Sequence, residues 1–327
     1  MRAVVVHSPG GLYALALIDV PEPKPGQGEV LIEVAFAGCN WADTQVRSGI
    51  YPHPYDFPVI PGMEVSGTVL GLGAGVDHLR VGDRVTALTN MGGYAEICVA
   101  EATLVTKLPD TVGLDVGAAF PVQALTAFHM LYTVHNLQQD DVVLVHAAGG
   151  GVGLLVIQMA VKAGARVIGT VGTKGKEKMA LHYGAERIVN LKQEDFVAVV
   201  NQITEGRGVD LVIDSLGAET LDRSFDAVKV LGHVINIGEA QGKPFGNIRD
   251  RVLPTSSSFT RFSISHVMPN ALLWQRGMDF VLQAIGENWL DIPIVQTIPM
   301  DKVRDMHRQI EGRQVAGKLL LAIAGKT

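Results

Sequence analysis

Residues 146–153, HAAGGGVG, set four glycines between an apolar run and a long helical pattern. Within them Ala148-x-Gly150-x-x-Gly153 fits the G/A-x-G-x-x-G spacing with which a strand hands over to a helix beneath a dinucleotide. The residue types suit that chemistry. Glycines allow the tight turn, the close backbone approach to pyrophosphate and the close packing of helix on strand. The helix opening at Gly151, Val152 and Gly153 presents free N–H groups and a partial positive charge to the phosphates. A bare Gly-rich turn has the same spacing, so the flanks must decide.

The end of the next strand bears on which dinucleotide fits. An NAD site usually places Asp or Glu there, about 20 residues on, to accept the ribose 2′-hydroxyl. Here ARVIGTVGTKGKEK ends near Gly172 and Thr173 without an acid, and Lys174, Lys176 and Lys178 follow. A missing carboxylate beside several ammonium groups favours a 2′-phosphate, hence NADPH. The plainer reading of the same lysines is a solvated helix start.

These residues need a frame. From Gln123 the chain alternates ALTAFHMLYTVHNL (helix), DVVLVHAA (strand), GLLVIQMAVKAG (helix), ARVIGTVG (strand), KEKMALHYG (helix) and RIVN (strand). DFVAVVNQIT (helix), VDLVIDSLG (strand), LDRSFDAVKVL (helix) and HVINIG (strand) follow. Fully apolar strands alternating with helices imply a parallel sheet covered on both faces. This predicts an α/β chain with a Rossmann doubly wound domain over 123–267. The first ~120 residues, by contrast, carry short β-branched runs between Gly, Pro and Asp turn signals, as an irregular barrel or sandwich does. The last ~60 residues mix helix and strand and are expected to rejoin them, giving a second, mainly-β domain over 1–122 and 268–327. The segment SSSFTRFSI reads as a last strand at the sheet edge, open to pairing in a homodimer.

The bulk numbers agree. At 327 residues two domains are the natural expectation, and 47% hydrophobic against 18% charged residues leaves no room for a long disordered tail. Lys plus Arg total 27 against 33 Asp plus Glu, a net charge of −6. That balance argues against a general nucleic-acid or anionic-membrane surface. The two cysteines, Cys39 and Cys98, form no CxxC, so a disulfide framework is excluded and a reducing compartment fits. The opening MRAVVVH reads as a strand without a signal-peptide region, and no apolar run approaches the ~20 residues of a spanning helix. A cytoplasmic protein is expected.

With VHAAGGGVG and GTVGTKGK, a third stretch, NWADTQVRSGIY, completes a resemblance. The chain resembles the medium-chain dehydrogenase/reductase superfamily, and within it the zinc-free quinone oxidoreductase (zeta-crystallin-like) branch. The branch pattern N-x-x-D-x-x-x-R-x-G-x-Y runs through Asn40, Asp43, Arg47, Gly49 and Tyr51, and PGMEVSG resembles the superfamily's P-G-x-E-x-x-G turn. The resemblance implies a GroES-like catalytic domain, a Rossmann domain, and a cleft between them for nicotinamide and substrate. It also implies cofactor contacts from Thr126, from the turn at Gly238, from Phe259 and Arg261, and from Arg313 and Lys318 near the C-terminus. Two departures stand out: Gly149 where an alanine is frequent, and Leu191 where some members place a tyrosine beside the adenosine.

Zinc-dependent relatives place a cysteine where this chain has Asn40 and a histidine where it has Met63. A catalytic zinc needs three protein ligands from His, Cys or carboxylate, and neither residue suits it. Cys39 is one position out of register, which on a strand turns it to the opposite face; with Glu64 it could form only a partial site. The chain is therefore expected to be metal-free. Alcohol oxidation passes through an alkoxide that needs strong stabilisation, whereas hydride addition to a quinone or conjugated enone yields a delocalised anion that weaker donors can hold. In that reaction Asn40 would bond the substrate oxygen or the nicotinamide edge, Tyr51 would line the pocket and donate its hydroxyl, and Arg261 would add a donor. The plainer readings are a helix cap for Asn40 and loop packing for Tyr51. Asp43 and Arg47, four apart, read as a structural helix pair. His53, His129 and His266 read as lone surface or core groups. The expectation is an NADPH-dependent quinone or enone reductase. The alternatives are a reductase of other α,β-unsaturated acyl compounds or halogenated acids, or a non-enzymatic NADPH-binding protein with structural or RNA-binding duties.

Overall fold

The computed structural model describes residues 1–52, 55–242 and 246–323; His53 lies outside them. The chain divides into two compact units. One comprises residues 1–123, 271–288 and 292–327, the other residues 124–270 and 289–291.

The second unit is built on a six-stranded parallel sheet. Its spatial order is Arg187–Asn190, Arg166–Val171, Val142–Val145, Val209–Asp214, Val228–Asn236, Ser258–Arg261. Numbered along the chain this is 3-2-1-4-5-6, the doubly wound order, whose direction reverses at Val142–Val145. Every residue of Val142–Val145 and of Val209–Asp214 is buried. Such strands must be covered on both faces, and the helix Gly151–Lys162 buries its residues from Gly153 to Ala160 in doing so. Ile168, Val189, Phe196, Val212 and Leu221 share one core cluster of this unit.

Two elements differ from expectation. The stretch LDRSFDAVKVL is helical only within Ala218–Ser224, and Val228–Asn236 is strand. The Ala227 carbonyl accepts from Val209 N–H at 2.9 Å, so sheet pairing claims backbone that the helical spacing of Leu, Phe, Val and Leu suggested for a helix. The helix Pro121–Phe128 widens into a π-helical stretch, His129–His135, and stops at Asn136 in the left-handed region, φ 63°. His129 is a core residue of that stretch, bonded through Nδ1 to the Thr133 hydroxyl at 2.9 Å, and His266 is exposed on a 3₁₀ turn.

The first unit holds a seven-stranded sheet around the long strand Glu29–Cys39. That strand pairs antiparallel with Lys318–Ala322, Glu64–Leu72 and Ile97–Glu101. Val30, Ile32, Val34, Val65, Val85, Leu319 and Leu321 form its core. Strand register assembles a polar cluster at one end of this sheet. Leu319 lies opposite Cys39 and Ala37 opposite Val65, which brings Lys318 and Glu64 to the end of the strand where Asn40 opens the helix Trp41–Ser48.

Candidate active site

In the parallel unit, the expected cofactor residues gather at the C-terminal ends of the strands. The glycine loop follows Val145, with Ala147 in the left-handed region at φ 52° and Gly150 N–H bonded to the Ala147 carbonyl at 2.8 Å. Ala148 is buried and its N–H donates to the Thr170 carbonyl at 2.9 Å, tying the loop to the neighbouring strand. The N-cap residue of the helix that begins at Gly151 is Gly150, which has no side chain to take up its first N–H groups. Gly172 and Thr173 follow the next strand. Lys174 is exposed and Lys176 half-buried. A Cβ on Gly149 would lie 2.8 Å from both the Cβ and the carbonyl oxygen of Lys176, so the glycine lets the lysine segment close onto the loop. The first acid along the chain after that strand, Glu177, accepts from Gly175 N–H at 2.6 Å. Leu191 packs partly buried against the core.

Three neighbouring strands of the same unit end in a polar row. Asp214 pairs in register with Asn236, and Asn236 with Arg261. Asn236 Nδ2 donates to Asp214 Oδ1 at 2.6 Å and to the Gly238 carbonyl at 2.8 Å; Arg261 donates to the carbonyls of Asn236 and Phe262 at 3.3 and 3.1 Å. This row sets the Gly238 turn. Burial pushes the Asp214 carboxyl up to about 6. Phe259 lies against Phe225, centroids 6.1 Å apart, and Thr126 is buried on the helix Pro121–Phe128. Asp214 and Asn236 were not anticipated; the only sequence signal for them is that each closes an apolar strand.

In the first unit the centre is Asn40. Its backbone N–H donates to Asp43 Oδ2 at 2.8 Å, the capping-box bond that starts the helix Trp41–Ser48. Nδ2 donates to Glu64 Oε1 at 2.7 Å and Oδ1 accepts from Lys318 Nζ at 2.9 Å. Lys318 and Glu64 also bond directly, and Glu64 Oε2 accepts from Val122 N–H at 2.7 Å. Lys318 is 1% and Glu64 0% exposed. The ammonium expected to meet a cofactor is thus turned inward, onto two side chains of its own unit.

Asp43 and Arg47 are both buried but do not pair with one another. Asp43 holds Asn40 N–H and accepts from the Tyr94 hydroxyl at 3.0 Å, while Arg47 reaches the Gly10 carbonyl, His307 and Glu311. Burial pushes the Asp43 carboxyl up to about 6. Tyr51 stacks on Tyr55, centroids 6.1 Å apart, and Arg313 lies over the Trp41 ring at 5.8 Å.

Comparison with known proteins places this frame. The family model described as the alcohol dehydrogenase GroES-like domain matches residues 26–110, and that of the zinc-binding dehydrogenases residues 151–288. The chain belongs to the medium-chain dehydrogenase/reductase superfamily, as a GroES-like domain joined to a Rossmann domain. Within it the chain falls in the quinone oxidoreductase branch. It is 35% identical to a probable quinone oxidoreductase of Schizosaccharomyces pombe, over 97% of this chain and 96% of the relative. It is 33% identical to a 2-haloacrylate reductase of a Burkholderia species, over 98% of each. Among solved structures, the Escherichia coli quinone oxidoreductase complexed with NADPH superposes with a TM-score of 0.94 at 30% identity, covering 98% of this chain and all of that one.

A family that includes zinc enzymes calls for a test of the donor set, and the residues do not fit the ion. Asn40 is already held by an ammonium and a carboxylate. The Cys39 thiol is pushed up to about 12 by burial, far from the thiolate that zinc requires. Lys318 brings a positive charge to Glu64, the carboxylate that bonds the Asn40 side chain. Among the described residues no group of three or more His, Cys, Asp or Glu side chains is placed to hold a metal ion. Nor, among them, is any helix long and apolar enough to cross a membrane.

Proposed function

We propose that the chain is an NADPH-dependent oxidoreductase that reduces a quinone or conjugated enone without a metal. The observation that carries this reading is the donor set. In a chain of the quinone oxidoreductase branch, the residue types at Asn40 and Tyr51 supply a carboxamide and a phenol rather than a zinc triad. Bound NADPH supplies the hydride. The N–H groups of Gly151, Val152 and Gly153 hold the pyrophosphate, with Ala148 and Gly150 shaping the turn; Gly172, Thr173, Lys174 and Lys176 receive the 2′-phosphate ribose. Thr126, the Gly238 turn, Phe259 and Arg313 complete the cofactor contacts. Asn40 uses its second Nδ2–H on the substrate oxygen, Tyr51 lines the pocket and donates its hydroxyl, and Arg261 adds a charged donor. An anion spread over a quinol or enolate needs no more than this, whereas an alkoxide needs a stronger electrophile.

The protein acts as a homodimer in the cytoplasm in this reading. The outer position of Ser258–Arg261 in its sheet, with one side unpaired among the described residues, supports the first, and two buried free cysteines support the second. Purified protein should oxidise NADPH with benzoquinones, naphthoquinones or enones at a rate that a chelator leaves unchanged, and should barely oxidise simple alcohols with NADP⁺. Faster turnover of 2-haloacrylates than of any quinone would move the substrate class to unsaturated acids. Tight NADPH binding without turnover across the panel would refute the enzyme reading.

A further inference from the structure

Lys318, Glu64 and Asn40 close a ring of hydrogen bonds. Lys318 Nζ donates to Asn40 Oδ1 at 2.9 Å and to Glu64 Oε1, and Asn40 Nδ2 donates to the same Glu64 oxygen at 2.7 Å. Three strands and a turn converge to make it. The register sets Lys318 across from Asn40, and Glu64 begins the strand on the other side. Space for the carboxylate comes from Gly38, where a Cβ would meet Glu64 Oε1 at 2.6 Å and the Ala118 carbonyl at 2.3 Å. The second carboxylate oxygen is held by Val122 N–H.

Burying a lysine and a glutamate side chain together is costly, and well-packed apolar residues would serve stability as well or better. The ring therefore calls for another use. It fixes both ends of one carboxamide, a cation at the oxygen and a carboxylate at one N–H, so that the side chain can neither flip nor swing. Positive charge at the oxygen also draws electron density from the amide nitrogen and strengthens the remaining N–H as a donor. We propose that Lys318 and Glu64 are positioning residues that lock and polarise Asn40, aiming its free Nδ2–H at the oxygen on which charge develops. The role of Lys318 is thus exerted through Asn40 rather than by touching the cofactor. This rests on the reductase reading above.

The test is a double-mutant cycle in the full chain, with Lys318→Met, Asn40→Ala and the pair, read as kcat and KM for a naphthoquinone and for NADPH. Lys318→Met should lower kcat about 10–100-fold, as loss of one preorganised donor does, with KM for NADPH within about threefold. The pair should be no worse than Asn40→Ala alone, because residues that act as a unit are not additive. A full additive loss, or a raised KM for NADPH at unchanged kcat, would overturn the proposal; the second result would return Lys318 to the cofactor. Side-chain amide NMR of the cofactor-free chain, selectively labelled with ¹⁵N-asparagine, gives a readout independent of turnover. The Asn40 NH₂ pair, identified by its loss in Asn40→Ala, should be shifted and sharp in wild type and should collapse toward free-amide shifts in Lys318→Met. An unmoved pair refutes the lock. Should wild type reduce no quinone, the reductase reading fails on its own while the NMR still decides whether Lys318 holds Asn40. If Lys318→Met does not fold, Glu64→Gln keeps the volume and carries the same expectations.

Discussion

Cofactor preference is expected to rest on Lys176 far more than on its neighbours. Lys176 is half-buried and its main chain lies against Gly149, whereas Lys174 is exposed. A charge-assisted hydrogen bond from a side chain held in place contributes about 1.5–3 kcal/mol, or roughly 10- to 150-fold. An exposed lysine contributes about 0.2–1 kcal/mol, less than about sixfold. Wild type should therefore favour NADPH over NADH by about 10- to 100-fold in kcat/KM. Lys176→Glu should abolish or reverse that ratio, mainly through NADPH, while Lys174→Glu should change it by less than about tenfold. Geometry offers a second perturbation that leaves the charge alone. Gly149→Ala sets a Cβ at 2.8 Å from the Lys176 Cβ and carbonyl, so the segment must retreat by about 0.6 Å to reach an ordinary 3.4 Å contact. Part of the NADPH preference, about 3- to 10-fold, should go with it, and NADH turnover should hardly change. Steady-state kinetics with both cofactors on the four proteins is the assay. Equal use of both cofactors by wild type, or a larger effect from Lys174 than from Lys176, would refute the reasoning.

The pH dependence of stability should follow from two groups whose charged forms are disfavoured by burial. His307 is pushed down to about 3 by burial and by the neighbouring Arg47, so between pH 6.5 and 3 the unfolded chain binds the extra proton and stability falls as pH falls. Asp43, raised to about 6, has the opposite sign: the native state holds the extra proton between about pH 4 and 6, and stability falls as pH rises through that window. In urea unfolding at pH 4.5 and 7, His307→Phe should shrink the gain in stability toward neutral pH by about 2–3 kcal/mol, and Asp43→Asn should enlarge it by about 2 kcal/mol; equal gains in all three proteins would contradict both assignments. The edge strand Ser258–Arg261 should pair with its symmetry mate, so sedimentation at micromolar concentration should give twice the 34.9 kDa of the chain, and a stable monomer would reject the dimer.

Legibility in the chain divides by the range of the interaction. The parallel strands stood out because burial on both faces makes them apolar throughout, and the glycine loop because close approach excludes side chains. Local spacing failed where a distant partner decided. Val228 and Leu231 fall at a helical spacing from Leu221, yet the backbone near Ala227 belongs to Val209 in the next strand. Asp43 and Arg47 are four apart on one helix, as a salt-bridging pair would be, but Tyr94 claims the acid and Glu311 the base, 51 and 264 residues away. Lys318 is the sharpest case. The family resemblance implies that it meets the cofactor, and no residue beside it in RQVAGK suggests otherwise. Only the antiparallel register, which brings it 278 residues back to Asn40, supplies the carboxylate and carboxamide that let an ammonium be buried. A buried charge is stable only when its partners are all present at once. Here they come from the end of Glu29–Cys39, the turn after Pro61 and the strand Lys318–Ala322, so the site is a property of the assembled sheet that no single motif contains.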